Sequence, residues 1–321
     1  MSDTPPSLRL IIPLLLAAPI LVVPLLGDRY LINVLEITLV FAIYASAWNL
    51  FAYAGQASLG HATFLGVGAY ASVLLSRSTA LSPLVSILVG GFVSVVAGLL
   101  VGLACVRLRG WFLGIVTFGF SVLAEVIVSE PLSWLTHGRY GMWAPRLIPP
   151  EVPGYFVYEY YIVVSTATLA ILVMHKIMKS SFGIALAAIR EDEVAASAIG
   201  IPTTRYKLAA LLISSFFSGV AGGLLAHVVW GGYVSPEVFG VHYSFNPVIY
   251  CVSGGLGTVE GPVVGVFLVT AIWEGLRFIG TYERFILIGA MLILTVIFIP
   301  EGIIPTLRKY VLSEEMVASV R

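Results

Sequence analysis

Charge is what this chain has least of. Only 11% of its 321 residues are Asp, Glu, Lys or Arg, against 59% hydrophobic, and the mean hydropathy is +1.00. Soluble domains carry about 25% charged residues, so the composition excludes a soluble protein and predicts an integral membrane protein. The formal net charge is zero, and no basic field points to nucleic acid. Cysteine is nearly absent. Cys105 and Cys251 both sit in apolar segments and suggest neither a disulfide framework nor a metal site. The dipeptide Gly-Lys does not occur, which removes a phosphate loop of the Gly-x-x-x-x-Gly-Lys type. There is no His-Glu-x-x-His for zinc and no Gly-x-Ser-x-Gly nucleophile elbow. No lysine lies mid-span for a retinal Schiff base, and no span carries an arginine ladder. Three classes remain: a transporter subunit driven by a partner, a self-contained secondary carrier or channel, and a membrane enzyme of unrecognised pattern.

Long apolar runs are what is present. Hydropathy predicts spans over Leu8–Leu26, Tyr30–Phe51, Leu84–Val106, Trp111–Ser129, Tyr160–Met178, Leu208–Trp230 and Arg284–Ile299. The first follows a single basic residue, Arg9, and is read as a retained span, being longer than a signal-peptide core. Two regions are interrupted. Tyr53–Tyr70 is glycine-rich and polar, reading as a broken or re-entrant helix that continues to Ser76. Ser244–Ser253 and Val263–Ile279 are half-length pieces separated by Gly254–Pro262. Irregular backbone at membrane depth survives only where protein buries it or a cavity solvates it. Paired interruptions in two halves of a chain point to a transport pathway. The expectation is an all-α polytopic membrane protein, one domain over 1–321, with about eight to ten transmembrane helices, some of them broken. The mixed-charge, aromatic stretch from Pro131 to Glu159 is placed outside. The polar tail at about 301–321 is placed inside.

Charges crowd into one stretch, Ser180–Lys207, with Lys176 and Lys179 just before it. Basic residues mark it as cytoplasmic. Glu191, Asp192 and Glu193 stand at the start of an alanine-rich turn, where a helix dipole favours negative charge. Alanines propagate the helix, and Gly200 followed by Pro202 ends it. The pattern predicts a short helix lying across the membrane surface.

That loop resembles the Glu-Ala-Ala-x-x-x-Gly coupling loop of ABC importer permeases. Here it reads Glu193, Ala195, Ala196 and Gly200, with Val194 as one extra residue. The likeness extends along the chain through Trp48-Asn-Leu50, Gly55-Gln-Ala-Ser-Leu-Gly-His-Ala62, Phe64-Leu-Gly-Val-Gly-Ala-Tyr70, Arg109-Gly-Trp-Phe112, Ala188-Ile-Arg-Glu-Asp-Glu-Val-Ala-Ala196 and Gly254-Gly-Leu-Gly257. In this order they resemble the LivM-type permeases of branched-chain amino acid ABC importers, from about Asn33 to Pro305. The resemblance implies a bacterial inner-membrane subunit forming half of a heterodimeric pore with a LivH-type second permease. It implies two cytoplasmic ATPase subunits docked on the coupling helix and a periplasmic substrate-binding protein. It implies no cofactor bound by this chain, with ATP hydrolysed by the partners. Cargo would be leucine, isoleucine, valine or a related amino acid; relatives of the family carry urea, amides or aromatic acids.

On that reading Arg190, Glu191, Asp192, Glu193, Ala196 and Gly200 form the ATPase-coupling site. Gln56, Ser58 and His61 line the translocation pathway or fix a tight turn. A polar side chain inside the bilayer is costly unless it is paired or faces water. Glu274 and Arg277 are spaced to share a helical face. Glu36 or Glu125 would be the proton relay of a self-contained secondary carrier, the rival reading. Otherwise Glu36 makes a structural contact. His137, His175, His227 and His242 show no ligand spacing.

Overall fold

Asp28 opens the first long helix. Its carboxylate accepts a hydrogen bond from the Tyr30 amide at 2.9 Å, satisfying one of the donors that a helix N-terminus leaves free. The computed structural model describes residues 23–26, 28–79, 81–105, 107–108, 110–299, 302–306 and 309. The span expected at Leu8–Leu26 lies outside these residues apart from one 3-10 turn, Val23–Leu26. Arg109 and most of the tail from 301 lie outside them too.

The helices are α1 Arg29–Ala52, α2 Ala62–Ser78, α3 Pro83–Cys105, α4 Gly110–Ser129 and α5 Tyr155–Lys179. The short α6 Ser181–Glu191 and α7 Glu193–Ala198 follow. The remainder are α8 Thr203–Leu224, α9 Val241–Gly254, α10 Gly261–Gly275 and α11 Thr281–Phe298. A π turn, Leu225–Val229, lengthens α8. One two-residue antiparallel ladder joins β1 Met142–Trp143 to β2 Tyr233–Val234. The protein is an all-α polytopic membrane protein. Helices α1, α3, α4, α5 and the lengthened α8 are each long and apolar enough to cross a bilayer.

Contacts fix the direction of each helix. Arg29 at the start of α1 bonds the Tyr155 hydroxyl at the start of α5, and Tyr30 bonds Glu274 at the end of α10. At the opposite end the turn after α1 meets Arg190. Gly302, beyond α11, meets Gly255. Lys176, Lys179, Arg190, Arg205 and Lys207 gather at this second end, called the basic end below.

Small residues decide what packs closely. Lipid tails are as apolar as leucine, so helices in a bilayer associate where backbones can approach. On α8, Gly219 lies against Gly68 of α2 and Ser94 of α3, and Gly222 lies against the Leu65 carbonyl. On α3, Gly98 faces Ser215 and Gly102 faces Leu208. The Ser94 hydroxyl donates to the Phe64 carbonyl at 2.9 Å. Helices α2, α3 and α8 therefore form one tight sheaf, and α1, α9 and α10 form another. The central helix of each half packs with the pair from the other half, and α1 crosses α8 between them.

The broken segments differ from the sequence expectation. Helix α2 is continuous from Ala62, so Gly66 and Gly68 are contact positions, where Phe239 and Gly219 leave no room for a Cβ. The irregular segment is confined to 53–61. It rises from the basic end to mid-depth, where His61 meets Ser214, halfway along α8. Its counterpart is not Gly254–Pro262, which is a turn with Pro262 in the first turn of α10. The counterpart is 230–240, which descends from the far end until Phe239 meets Gly66 and its carbonyl accepts from Ser121, halfway along α4. Half-helix α2 then leads outward from mid-depth, and half-helix α9 leads toward the basic end. The glycines at 254–262 serve close packing instead: a Cβ on Gly254 would stand 1.8 Å from the Gly261 carbonyl oxygen. Pro247, inside α9, lacks an N–H and would orphan the Tyr243 carbonyl. The Tyr44 hydroxyl of α1 donates to that carbonyl at 2.9 Å.

Candidate functional site

The basic end carries an elbow of two helices. In α6 the residues Gly183, Leu186 and Ile189 are buried, an i, i+3, i+6 stripe that seats one face. That stripe carries the helix through to Glu191, further than the acidic cluster implied. Asp192 then breaks it. Its backbone is extended at φ −154°, and its Oδ1 accepts from Val194 N at 2.8 Å and Ala195 N at 3.0 Å. Asp192 is thus the N-cap of α7, Glu193 begins α7, and Glu191 ends α6. The three acids expected at one helix start are divided between two helices. At the C-terminal end of α6, where a carboxylate is disfavoured, Glu191 pairs with its neighbour Arg190 at 3.1 Å.

Gly200 closes α7 as expected. It sits at φ +90°. Its N–H bonds Ser197 O at 3.0 Å, and Ile201 N bonds Ala196 O at 3.1 Å. These are the two bonds of a Schellman motif, whose left-handed residue favours glycine. Ala196 is buried and seats the elbow.

Glu193 faces inward. Its carboxylate pairs with Lys207 Nζ at 2.6 Å, with side-chain exposures of 19% and 2% respectively. The pair ties α7 to the first turns of α8. Arg190 reaches the other way. Its guanidinium stands 5.2 Å over the Tyr53 ring. It lies so close to Gly257 that a Cβ there would come within 2.7 Å of its Nη1. Its backbone borders Gly55. Asn49 bridges the same place: its Nδ2 donates to Thr258 O at 2.7 Å, and its Oδ1 accepts from Gly257 N at 3.0 Å. The elbow is therefore joined to the end of α1, to the start of the 53–61 segment and to the α9–α10 turn. Arg190→Ala removes the ring contact, worth about 0.5–2 kcal/mol depending on desolvation. It is expected to lower the stability of the solubilised chain by about 1 kcal/mol in a thermal melt, with little recovered by Arg190→Lys because an ammonium is no planar stacking group.

The elbow also exposes apolar side chains. Ile184, Val194 and Ile199 are 69%, 68% and 77% exposed. Sequence reading noted Val194 only as an extra residue in the motif and passed over Ile199; the available signal was an isolated apolar residue on each side of the alanines, within a charged loop.

Gln56, Ser58 and His61 are brought together in the 53–61 segment, all buried. His61 Nε2 and Ser214 Oγ are 2.7 Å apart, and the Ser214 hydroxyl donates to Ala47 O at 2.6 Å. The Ser58 hydroxyl accepts from Gly60 N at 3.1 Å, and its carbonyl accepts from Trp48 Nε1 at 2.6 Å. With the Leu59 amide donating to Thr117 Oγ1 of α4 at 3.1 Å, these bonds hold the irregular backbone between α1, α4 and α8.

Three further acids singled out in the sequence, Glu36, Glu125 and Glu274, lie on spans or at the far end. Glu36 of α1 is buried, within electrostatic reach of Glu159 and Arg146. Those two form an ion pair at 3.3 Å, and Glu159 also accepts from Ile148 N at 3.2 Å. Glu125 is half-buried on α4. Glu274 and Arg277 do not share a helical face, because α10 ends at Gly275. Tyr30 lies between them, its hydroxyl bonding Glu274 and its ring 5.0 Å from the Arg277 guanidinium.

Residues 30–296 match the family model described as branched-chain amino acid transport system / permease component. The "High-affinity branched-chain amino acid transport system permease protein LivM" of Salmonella typhimurium is 27% identical, over 89% of this chain and 72% of that one. The protein of the same description from Escherichia coli is 26% identical over the same shares. A solved structure, "PsaBC from Streptococcus pneumoniae in complex with Fab", is 17% identical with a TM-score of 0.47, over 87% of this chain and 95% of that one.

Proposed function

The chain belongs to the family of permease components of branched-chain amino acid transport systems, and from that premise we propose how it works within such a system. It is a multi-pass inner-membrane permease subunit of an ABC importer for branched-chain amino acids. In our reading it pairs with a LivH-type second permease, forms half of the pathway, and receives cargo from a periplasmic binding protein. Two cytoplasmic ATPase subunits supply the energy. The observation that carries this reading is the family match across nearly the whole membrane domain, residues 30–296.

The α6–α7 elbow is the coupling element in this reading, and the basic end is cytoplasmic. The exposed Val194 and Ile199 enter an apolar groove on an ATPase. Glu193–Lys207 carries motion of α7 to α8, while Arg190 carries it to the end of α1 and to the α9–α10 turn. The end of α1 leads through 53–61 into half-helix α2, and the α9–α10 turn ends half-helix α9, so a rigid movement of the elbow shifts both at once. ATP shifts the inward- and outward-facing states only through its different affinity for them. Gln56, Ser58 and His61 act here by holding the 53–61 segment rigid beside the pathway.

Two experiments test this. Purification of the chain from solubilised membranes should bring down an ATPase and a second permease. Purification of the chain alone, with uptake driven by a proton gradient and abolished by Glu36→Gln, would establish the rival carrier instead. Val194→Asp and Ile199→Asp should each weaken ATPase recovery tenfold or more, since fully burying such a side chain is worth about 1.5–3 kcal/mol. The melting temperature of the chain should barely move, because both side chains are exposed in it.

A further inference from the structure

A cavity of about 310 Å³ lies between α1, α9, α10 and α11. Ile37, Phe41, Ile249 and Val269 contribute its apolar wall. His242, Asn246, Tyr250, Thr270, Trp273 and Glu274 bring polar atoms to it. Asn246 stands in the second turn of α9, which begins at mid-depth. Glu274 stands at the end of α10, beside Tyr30; α9 and α10 run antiparallel with Gly265 against the Tyr250 carbonyl, so Glu274 lies opposite the start of α9, about a turn from Asn246.

Asn246 is 5% exposed and lines the cavity, yet its side-chain amide makes no hydrogen bond to any described residue. The amide opens onto the cavity, so a ligand or water there can complete its hydrogen bonds. Helical side chains lean toward the N-terminus, so this amide lies over the first turn of α9. His242, four residues earlier on the same face, also lines the cavity. The dipole of a 14-residue helix adds positive potential at that turn. Glu274 supplies the opposite charge. One of its oxygens accepts the Tyr30 hydroxyl, and an ionised carboxylate has capacity for more donors.

We propose that this cavity is a transit subsite for a zwitterionic amino acid with an aliphatic side chain, its carboxylate held by Asn246 at the start of α9 and its ammonium facing Glu274. The assignment rests on the importer reading given above and adds where within this chain the cargo pauses. The apolar wall takes the aliphatic side chain. A second carboxylate would meet Glu274, which disfavours acidic amino acids.

The test uses the complex that co-purifies with this chain, in nanodiscs without ATP. Thr270 lines the cavity, and Thr270→Cys introduces a thiol there; Ile293→Cys, on an exposed face of α11, is the control. A small thiosulfonate reagent reports access to each. Leucine should slow labelling at Thr270→Cys but not at Ile293→Cys, while leucinamide, 4-methylpentanoate and glutamate should not slow it. Adding Asn246→Ala should weaken protection by leucine about tenfold, the expected loss for one hydrogen bond to a charged group. Glu274→Gln should do the same. Leucine import with labelling unaffected by leucine would overturn the subsite and leave the importer reading intact. Failure of the complex to import any aliphatic amino acid would overturn both.

Discussion

Glu193→Arg is expected to abolish import, and to do so by releasing α7 from the membrane domain. Lys207 is 2% exposed and pairs with Glu193 at 2.6 Å. Removing one partner of a buried ion pair costs about 3–5 kcal/mol, because the other charge stays buried and uncompensated. An arginine adds like-charge repulsion to that loss. The solubilised chain should melt well below the wild type, and ATPase recovery should fall with it. The exchange Glu193→Lys with Lys207→Glu restores opposite charges and should recover part of both. If Glu193 acted only by touching the ATPase, the single variant would melt like the wild type and the exchange would rescue nothing. Glu191→Ala is the contrast. That side chain is 76% exposed and paired only with its neighbour, so its effect on stability should stay below about 1 kcal/mol.

Gly222→Val is expected to prevent the protein from accumulating in the membrane. A Cβ at this position would lie 1.9 Å from the Leu65 carbonyl oxygen and 3.1 Å from Ala69 N. Both atoms are backbone, so no rotamer change relieves the clash. Overpacking against side chains costs about 1–3 kcal/mol, and displacing α2 from α8 should cost more. It would also disturb His61 and Ser214, which join the same two elements. Gly222→Ala should give a folded chain with a clearly lower melting temperature. Gly119 supplies the control: it is helical with nothing within 4 Å of its virtual Cβ, so Gly119→Ala should be neutral or slightly stabilising, given that alanine is preferred over glycine in helices by about 1 kcal/mol. Membrane abundance and detergent melting curves read all three.

Much of this molecule was legible without coordinates, for identifiable reasons. Hydropathy is a sum over residues, so the long spans at Tyr30–Phe51, Leu84–Val106, Trp111–Ser129 and Leu208–Trp230 appear within a residue or a few of α1, α3, α4 and α8. The same additivity revealed the membrane class and the basic loop. Motif order supplied the family, and local capping rules supplied Gly200 as the end of α7. Each of these signals lies within a short window of sequence.

What the tertiary structure decided concerns partners far apart in the chain. Glu193 looks like a surface acid until α8 brings Lys207 beneath it. Glu36 has no partner nearby in sequence, yet Arg146 and Glu159 stand close by. The glycines at 55 and 257 are punctuation in the sequence; folded, they make room for Arg190. Which broken segment answers which was hidden as well, because 230–240 contains the aromatic and apolar residues that hydropathy assigns to an outside loop. The contacts of Phe239 with Gly66 and with Ser121 place it among the spans. Local propensity and composition specify elements, whereas burial, charge pairing and close backbone approach depend on distances that no sequence window contains.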